Sequence, residues 1–193
     1  LDRLPFPARH LLPMKEYRMG TMHGRMHFTT IQTLRGCPWH CIFCASEALN
    51  TTRMLTRSAK SVVEEIKKVV ADFPYLTHFY FIDEVLTLWE DHILEVSDRI
   101  IAEGLKITFE GATRANLVND KQIEKMAKAG LIRLAFGLET VNTEMRKTMR
   151  KQVKLDDYTK SNKFCESYGV EALNSVMIGL PGETRETIRE TII

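Results

Sequence analysis

From His27 onward, strand-like and helix-like segments alternate without a break, and no other feature limits the fold so tightly. His27–Leu34 is rich in Thr, Ile and Phe and reads as a strand. Val62, Val63, Ile66, Val69, Val70 and Phe73 then repeat at helical spacing. Ser58 or Ser61 can cap that helix, and Ser61 with Glu64 has the spacing of a capping box. His78–Ile82 reads as a buried strand. Ile93, Leu94, Ser97, Ile100 and Ile101 mark one face of a second helix, closed by Gly104. Lys106–Glu110 is the third strand. Asn119 caps a helix that carries Ile123, Met126 and Ala127 and ends at Gly130. Leu131–Leu138 is the fourth strand, and a charged helical stretch runs from Asn142 to Tyr168. Ala172–Ile178 is the fifth strand, and Thr184 caps a last helix with Ile188 and Ile192 on one face. Such alternation requires parallel strands joined by right-handed crossovers. The expected fold is α/β, a partial (β/α) barrel cut short after about five β/α units. Barrels of this kind place their chemistry at the C-terminal ends of strands, so each motif can be judged by where a strand ends.

The chain has 193 residues, 44% hydrophobic and 27% charged, which suits one soluble domain with a single core. A net charge of +2 gives no reason to expect nucleic acid or an anionic membrane as partner. No apolar run approaches the length of a membrane span, and no signal peptide is visible. The first 26 residues read differently from the rest. "LPFPARHLLP" should run extended, and Gly20 and Gly24 follow it, so residues 1–26 read as a connector or arm. Met14, Met19, Met22 and Met26 read as flexible packing on an apolar surface, with soft-metal binding the lesser alternative. The chain starts at Leu1 and stops inside a helical pattern, so it is expected to be a piece of a longer protein.

Three of the four cysteines fall in "RGCPWHCIFCASE", at Cys37, Cys41 and Cys44, directly after the first strand. Sparse cysteines of this kind point to metal or redox chemistry in a reducing compartment, hence the cytoplasm, and not to a disulfide framework. Thiolates are the usual ligands of iron–sulfur clusters. Three of them on a four-iron cluster leave one iron open, and an open position distinguishes a reactive metal site from a closed structural one. A zinc site completed by His40 is the plain alternative, but all four donors would then come from eight consecutive residues. Cys165, in "NKFCESYG", reads by default as a buried structural cysteine.

Other chemistry-bearing residues also sit where strands end. Asp83 and Glu84 follow the second strand, and adjacent carboxylates there suit an ammonium group or a solvated turn. Arg114 follows the third strand and can pair with a ligand carboxylate, or with Glu110 or Glu139. Gly137 and Glu139 end the fourth strand, where glycine lets backbone approach a ligand and Glu139 can accept hydrogen bonds or form a buried ion pair. Gly179, Pro181 and Gly182 make a tight turn after the fifth. The basic run "MRKTMRKQVK" reads as a solvated helix face, with a polyanion site as the alternative.

The Cys-x-x-x-Cys-x-aromatic-Cys pattern, with Phe43 as the aromatic, resembles the signature of the radical S-adenosylmethionine (SAM) superfamily. The resemblance implies a 4Fe-4S cluster on Cys37, Cys41 and Cys44, with SAM chelating the fourth iron. It also implies reductive cleavage of SAM to a 5′-deoxyadenosyl radical that abstracts hydrogen from substrate. On the same resemblance Glu84 stands where family members often carry Gly-Gly-Glu against the SAM amino group, without the glycines here. Phe43, Glu84, Arg114, Glu139 and Gly179 are then the cofactor-binding set, and no catalytic residue beyond the cluster ligands is assigned. "DRLPFPARHLLP", "FGLET" and "IGLPGET" resemble the branch that includes the anaerobic magnesium-protoporphyrin ester cyclase. That branch implies a cobalamin-binding domain upstream of the 1–26 connector, a barrel core over 27–193, and cobalamin as a further cofactor. It further implies methyltransferase or cyclase-like chemistry on a small-molecule, lipid or tetrapyrrole-like substrate, with a flavodoxin or ferredoxin as electron donor. The alternatives are a methylthiotransferase acting on RNA and a non-enzymatic iron–sulfur electron-transfer protein.

Overall fold

The computed structural model describes residues 1–21, 24–49 and 52–192. The chain opens with a hairpin, β1 (Arg18–Thr21) and β2 (Gly24–Ile31), followed by a short strand β3 (Leu34–Arg35). Helix α1 (Ser46–Leu49), strand β4 (Leu55–Thr56), helix α2 (Ala59–Asp72) and strand β5 (His78–Phe81) come next. Then α3 (Glu90–Ala102), β6 (Thr108–Thr113), α4 (Asp120–Ala129) and β7 (Leu131–Glu139) alternate. The chain continues through α5 (Thr143–Thr148), α6 (Leu155–Ser167), β8 (Glu171–Val176) and α7 (Arg185–Ile192). The main sheet has the order β1-β2-β5-β6-β7-β8. Strands β2, β5, β6, β7 and β8 are parallel, and β1 is antiparallel at the edge. The sheet curls into a half barrel, as expected from the alternation of segments.

Local sequence explains where the helices begin. Ser58 caps α2 by accepting a hydrogen bond from the Ser61 N–H at 3.1 Å. Ser61 therefore lies inside the helix, where its hydroxyl accepts from Arg57 at 3.0 Å, and the Ser61–Glu64 box is not used. Asn119 and Gln122 cap α4 reciprocally, each bond 2.9 Å long, an arrangement worth about 1 kcal/mol. The stripes of α2, α3 and α4 then pack on one face of the sheet. Phe79, Phe81, Phe109 and Phe136 are fully buried there beside Ile66, Ile93 and Ile123, each such side chain contributing about 1.5–3 kcal/mol. On the opposite face, Tyr80, Glu110, Arg133 and Glu171 stand in register across four strands. Arg133 bridges this row at 3.1 Å to Glu110 and 2.6 Å to Glu171.

Two expectations are corrected. The connector over residues 1–26 is not extended chain alone, because Arg18–Thr21 pairs with residues 24–27. The strand is only four residues long and carries Gly20 and no fully buried side chain, so its sequence offers little strand signal. The stretch from Asn142 to Tyr168 is two helices broken over 149–154. Arg150 there has a left-handed φ of 55°, and the buried Arg146 guanidinium donates to the carbonyls of Leu138, Thr140 and Val153 across the break. Those carbonyls, left by the ends of β7 and of the break, are satisfied by a side chain in place of a continuous helix.

The N-terminal arm is held firmly to this body. Buried Arg9 donates to Thr29 Oγ1 at 2.9 Å, to the Thr30 carbonyl and to Glu65 Oε1 at 2.6 Å. Glu65 receives Arg57 on its other oxygen, also at 2.6 Å. Met14 is buried in the main core, and Met19 and Met26 are half-buried, in keeping with packing; Met22 lies outside the described residues.

Candidate metal centre

Among the described residues, 36–49 leave the sheet after β3 and 52–54 return to β4. The β3–β4 ladder closes the base of this loop by pairing Leu34 with Thr56 and Arg35 with Leu55. The end of β5 holds its entrance. Buried Asp83 accepts from the Thr33 N–H at 2.7 Å, the Thr33 hydroxyl at 2.5 Å and the Leu34 N–H at 3.1 Å. Burial pushes its carboxyl up to about 6, against the pull of these hydrogen bonds. Glu84 accepts from the Gly36 N–H at 3.1 Å, one residue before Cys37. The two adjacent carboxylates thus part company: Asp83 is fixed inside the turn, and Glu84 lies beside the cysteine loop.

On that loop Cys37 and Cys41 are half-buried and Cys44 is exposed. Burial pushes the Cys37 thiol up; the Trp39 N–H and Arg114 oppose this, while Cys44 and Cys41 add to it. The Cys44 sulfur accepts from the Ser46 N–H at 3.4 Å. His40 lies 2.9 Å from Glu47 through its Nδ1. Among the described residues, no three His, Cys, Asp or Glu side chains converge closely enough to hold a single metal ion. One zinc ion would draw its sulfurs to about 2.3 Å each, whereas a cluster spreads its ligands over separate irons. Cys165 is fully buried in the helix–sheet core, and its thiol is pushed up to about 11 by burial.

The far wall of the loop is the 149–154 break. The Ile42 N–H donates to the Met149 carbonyl at 3.3 Å, and the Cys41 thiol lies 3.9 Å from the Arg150 carbonyl. Phe43 packs against Met145, Met149, Leu180 and Met177. Beside it lies a 120 Å³ apolar cavity, lined also by Ile42, Thr148 and Pro181. Lys151 Nζ stands 5.8 Å from the Phe43 ring and 3.1 Å from Glu139 Oε1. The basic run is therefore not a uniform solvated face, since Arg146 and Lys151 are drawn inward to carbonyls, a carboxylate and a ring.

Arg114, only 7% exposed, reaches this wall from the end of β6. Its Nη1 lies 3.8 Å from Cys41 Sγ, its Nη2 donates to the Gln152 carbonyl at 3.3 Å, and its Cζ lies 4.1 Å from the Trp39 ring centroid. Neither Glu110 nor Glu139 neutralises it; Arg133 and Lys151 take those carboxylates. Glu139 is buried in its ion pair with a left-handed φ of 65°, at a register shift between β7 and β8. Gly137 makes room for that pair: a Cβ there would meet Glu139 Oε1 at 2.4 Å. Gly179, with φ of 94°, forms the exposed turn before α7, where its N–H donates to Glu183 at 2.6 Å. The structure brings Phe43, Glu84, Arg114 and Glu139 to the rim around the three thiols or to its 149–154 wall. Gly179 lies next to Leu180, which packs on Phe43. Trp39 and Lys151 were not singled out from sequence. Trp39 lies inside the cysteine motif, which was the available signal; Lys151 offered only its charge.

Comparison with known proteins shows the family. Residues 31–192 match the family described as the Radical SAM superfamily. An uncharacterised methyltransferase of Pyrococcus horikoshii is 31% identical over the whole chain, which spans 41% of that protein. The anaerobic magnesium-protoporphyrin IX monomethyl ester cyclase of Rubrivivax gelatinosus is 26% identical over 99% of the chain and 34% of its own length. The solved radical SAM methyltransferase TsrM from Kitasatospora setae, with cobalamin and a 4Fe-4S cluster bound, superposes with a TM-score of 0.79. At 19% identity, over 86% of this chain and 34% of TsrM, that is a likeness of fold. The chain thus spans well under half of these relatives. The match across most of its length, the half barrel and the cysteine loop at its C-terminal rim together place it in one family: the chain belongs to the radical SAM superfamily.

Proposed function

We propose that Cys37, Cys41 and Cys44 hold a 4Fe-4S cluster whose remaining iron takes SAM, and that this chain is the radical-generating core of a cobalamin-linked methyltransferase. The observation that carries the reading is the donor set: three thiols on one loop at the barrel rim, in the order Cys-x-x-x-Cys-x-aromatic-Cys. When bound, the cluster supplies the electron that cleaves SAM to methionine and a 5′-deoxyadenosyl radical. The protein's own part is positioning and shielding. Asp83 and the β3–β4 ladder fix the entrance of the loop. Glu84 lies one residue from the first ligand, where its carboxylate suits the SAM ammonium group. Phe43 and the apolar cavity beside it exclude water on the 149–154 side. Arg114 and the Glu139–Lys151 pair set the charge on the remaining sides.

Methyl transfer is favoured over cyclisation by the Pyrococcus horikoshii relative, 31% identical over the whole chain and named an uncharacterised methyltransferase. On this reading residues 1–26 connect an upstream cobalamin-binding domain to a core over 27–193. The substrate is a small, lipid or tetrapyrrole-like molecule, the electron donor a flavodoxin or ferredoxin, and the compartment the cytoplasm. Among the described residues, no helix is long and apolar enough to cross a membrane. Anaerobic reconstitution with iron and sulfide tests the ligand set. The wild-type protein should gain the broad visible absorbance of an iron–sulfur cluster. Single Cys37→Ala, Cys41→Ala and Cys44→Ala variants should each lose it, while Cys165→Ala keeps it. Retention of full absorbance by any of the first three would contradict the assignment.

A further inference from the structure

We infer that Arg114 sets the reduction potential of the cluster through a hydrogen bond to the Cys41 sulfur, with Trp39 as the plate that holds it there. The inference rests on the cluster reading above and goes beyond it. Three observations converge on Arg114. Its Nη1 lies 3.8 Å from Cys41 Sγ. The Trp39 ring stacks beneath it with Cζ 4.1 Å from the centroid, and Nη2 is tied to the Gln152 carbonyl, so the fork cannot swing away freely. No carboxylate pairs with it among the described residues, so its full positive charge acts on the loop; its Nε is buried without a partner.

Chemistry gives the direction. A charge-assisted N–H to sulfur bond withdraws electron density from the thiolate. A fixed cation in a site this buried stabilises the reduced cluster, which carries one more negative charge, more than the oxidised one. Arg114 thereby makes the cluster easier to reduce. Trp39 lies between two ligands of the same motif, so the loop that binds the metal also brings the plate that aims the guanidinium. Lysine at 114 would keep the charge and lose both the stack and the planar fork.

Potentiometric titration followed by electron paramagnetic resonance, on the full-length reconstituted protein without SAM, tests this. Arg114→Gln should retain iron and sulfide and make reduction at least tenfold less favourable, a shift of 59 mV to more negative potential for one electron. Arg114→Lys should shift less, and Trp39→Leu should shift in the same direction as Arg114→Gln with the guanidinium still present. A role confined to binding the SAM carboxylate would leave the SAM-free potential unmoved, and so would a purely structural one. Full iron content with an unshifted potential in Arg114→Gln and Trp39→Leu overturns the inference. A wild-type protein that assembles no cluster instead fails the reading on which it rests.

Discussion

Asp83 and Glu84 leave β5 in succession, and burial separates their roles. Asp83 spends its oxygens on Thr33 and Leu34, and Glu84 keeps its carboxylate at Gly36 beside the first cysteine. Glutamine at 84 can still accept from the Gly36 N–H but offers no charge to an ammonium group. Glu84→Gln should therefore weaken SAM binding about ten- to a hundredfold, one charge-assisted bond being worth roughly 1.5–3 kcal/mol, with iron content unchanged. Glu84→Ala should lower iron content as well, and equilibrium dialysis with iron assay reads both. The sequence could single out the cysteines and Glu84 as candidates because ligand spacing and a strand end are local facts. It could not show that Asp83 is spent on Thr33 and Leu34, nor that Arg114 meets a thiol in place of Glu110 or Glu139. Those outcomes depend on contacts between residues far apart in the chain.

At the scale of elements, the reading succeeded where a side-chain period was long. The stripes of α2, α3 and α4 and the cap at Asn119 appear where expected. It failed at 149–154, where a charged run continues the helical pattern while Arg146 and Arg150 break the backbone. The break matters because it forms the wall of the cysteine loop. The β7 end is built with equal economy of space. A Cβ at Gly137 would collide with the Glu139 carboxylate and come within 3.0 Å of Lys151 Nζ. Gly137→Ala should displace that buried ion pair and cost about 1–3 kcal/mol, read as a lower midpoint in thermal melting. An unchanged midpoint would show that the pair can swing clear at no cost.

The whole molecule is a half barrel whose N-terminal arm is bound to its outer face. Strict alternation made the parallel core legible, since few topologies accept it. The β1–β2 hairpin was not legible, because β1 has four residues, one of them Gly20, and none fully buried. The arm's attachment escaped too, since nothing near Arg9 in sequence announces Glu65. Two guanidiniums share that buried carboxylate. Glu65→Ala would leave both uncompensated and should cost about 3–5 kcal/mol. For a chain of this size that lowers the melting midpoint on the order of 10 °C. The half barrel, its cysteine loop and the arm all serve one claim, that the rim holds a cluster with an iron open to SAM. Incubating the reconstituted full-length protein with SAM and a strong reductant, and measuring nucleoside products by mass spectrometry, tests that claim most directly. The account predicts 5′-deoxyadenosine and methionine from the wild-type protein and none from Cys37→Ala. A protein that binds one zinc per chain and leaves SAM intact would contradict it.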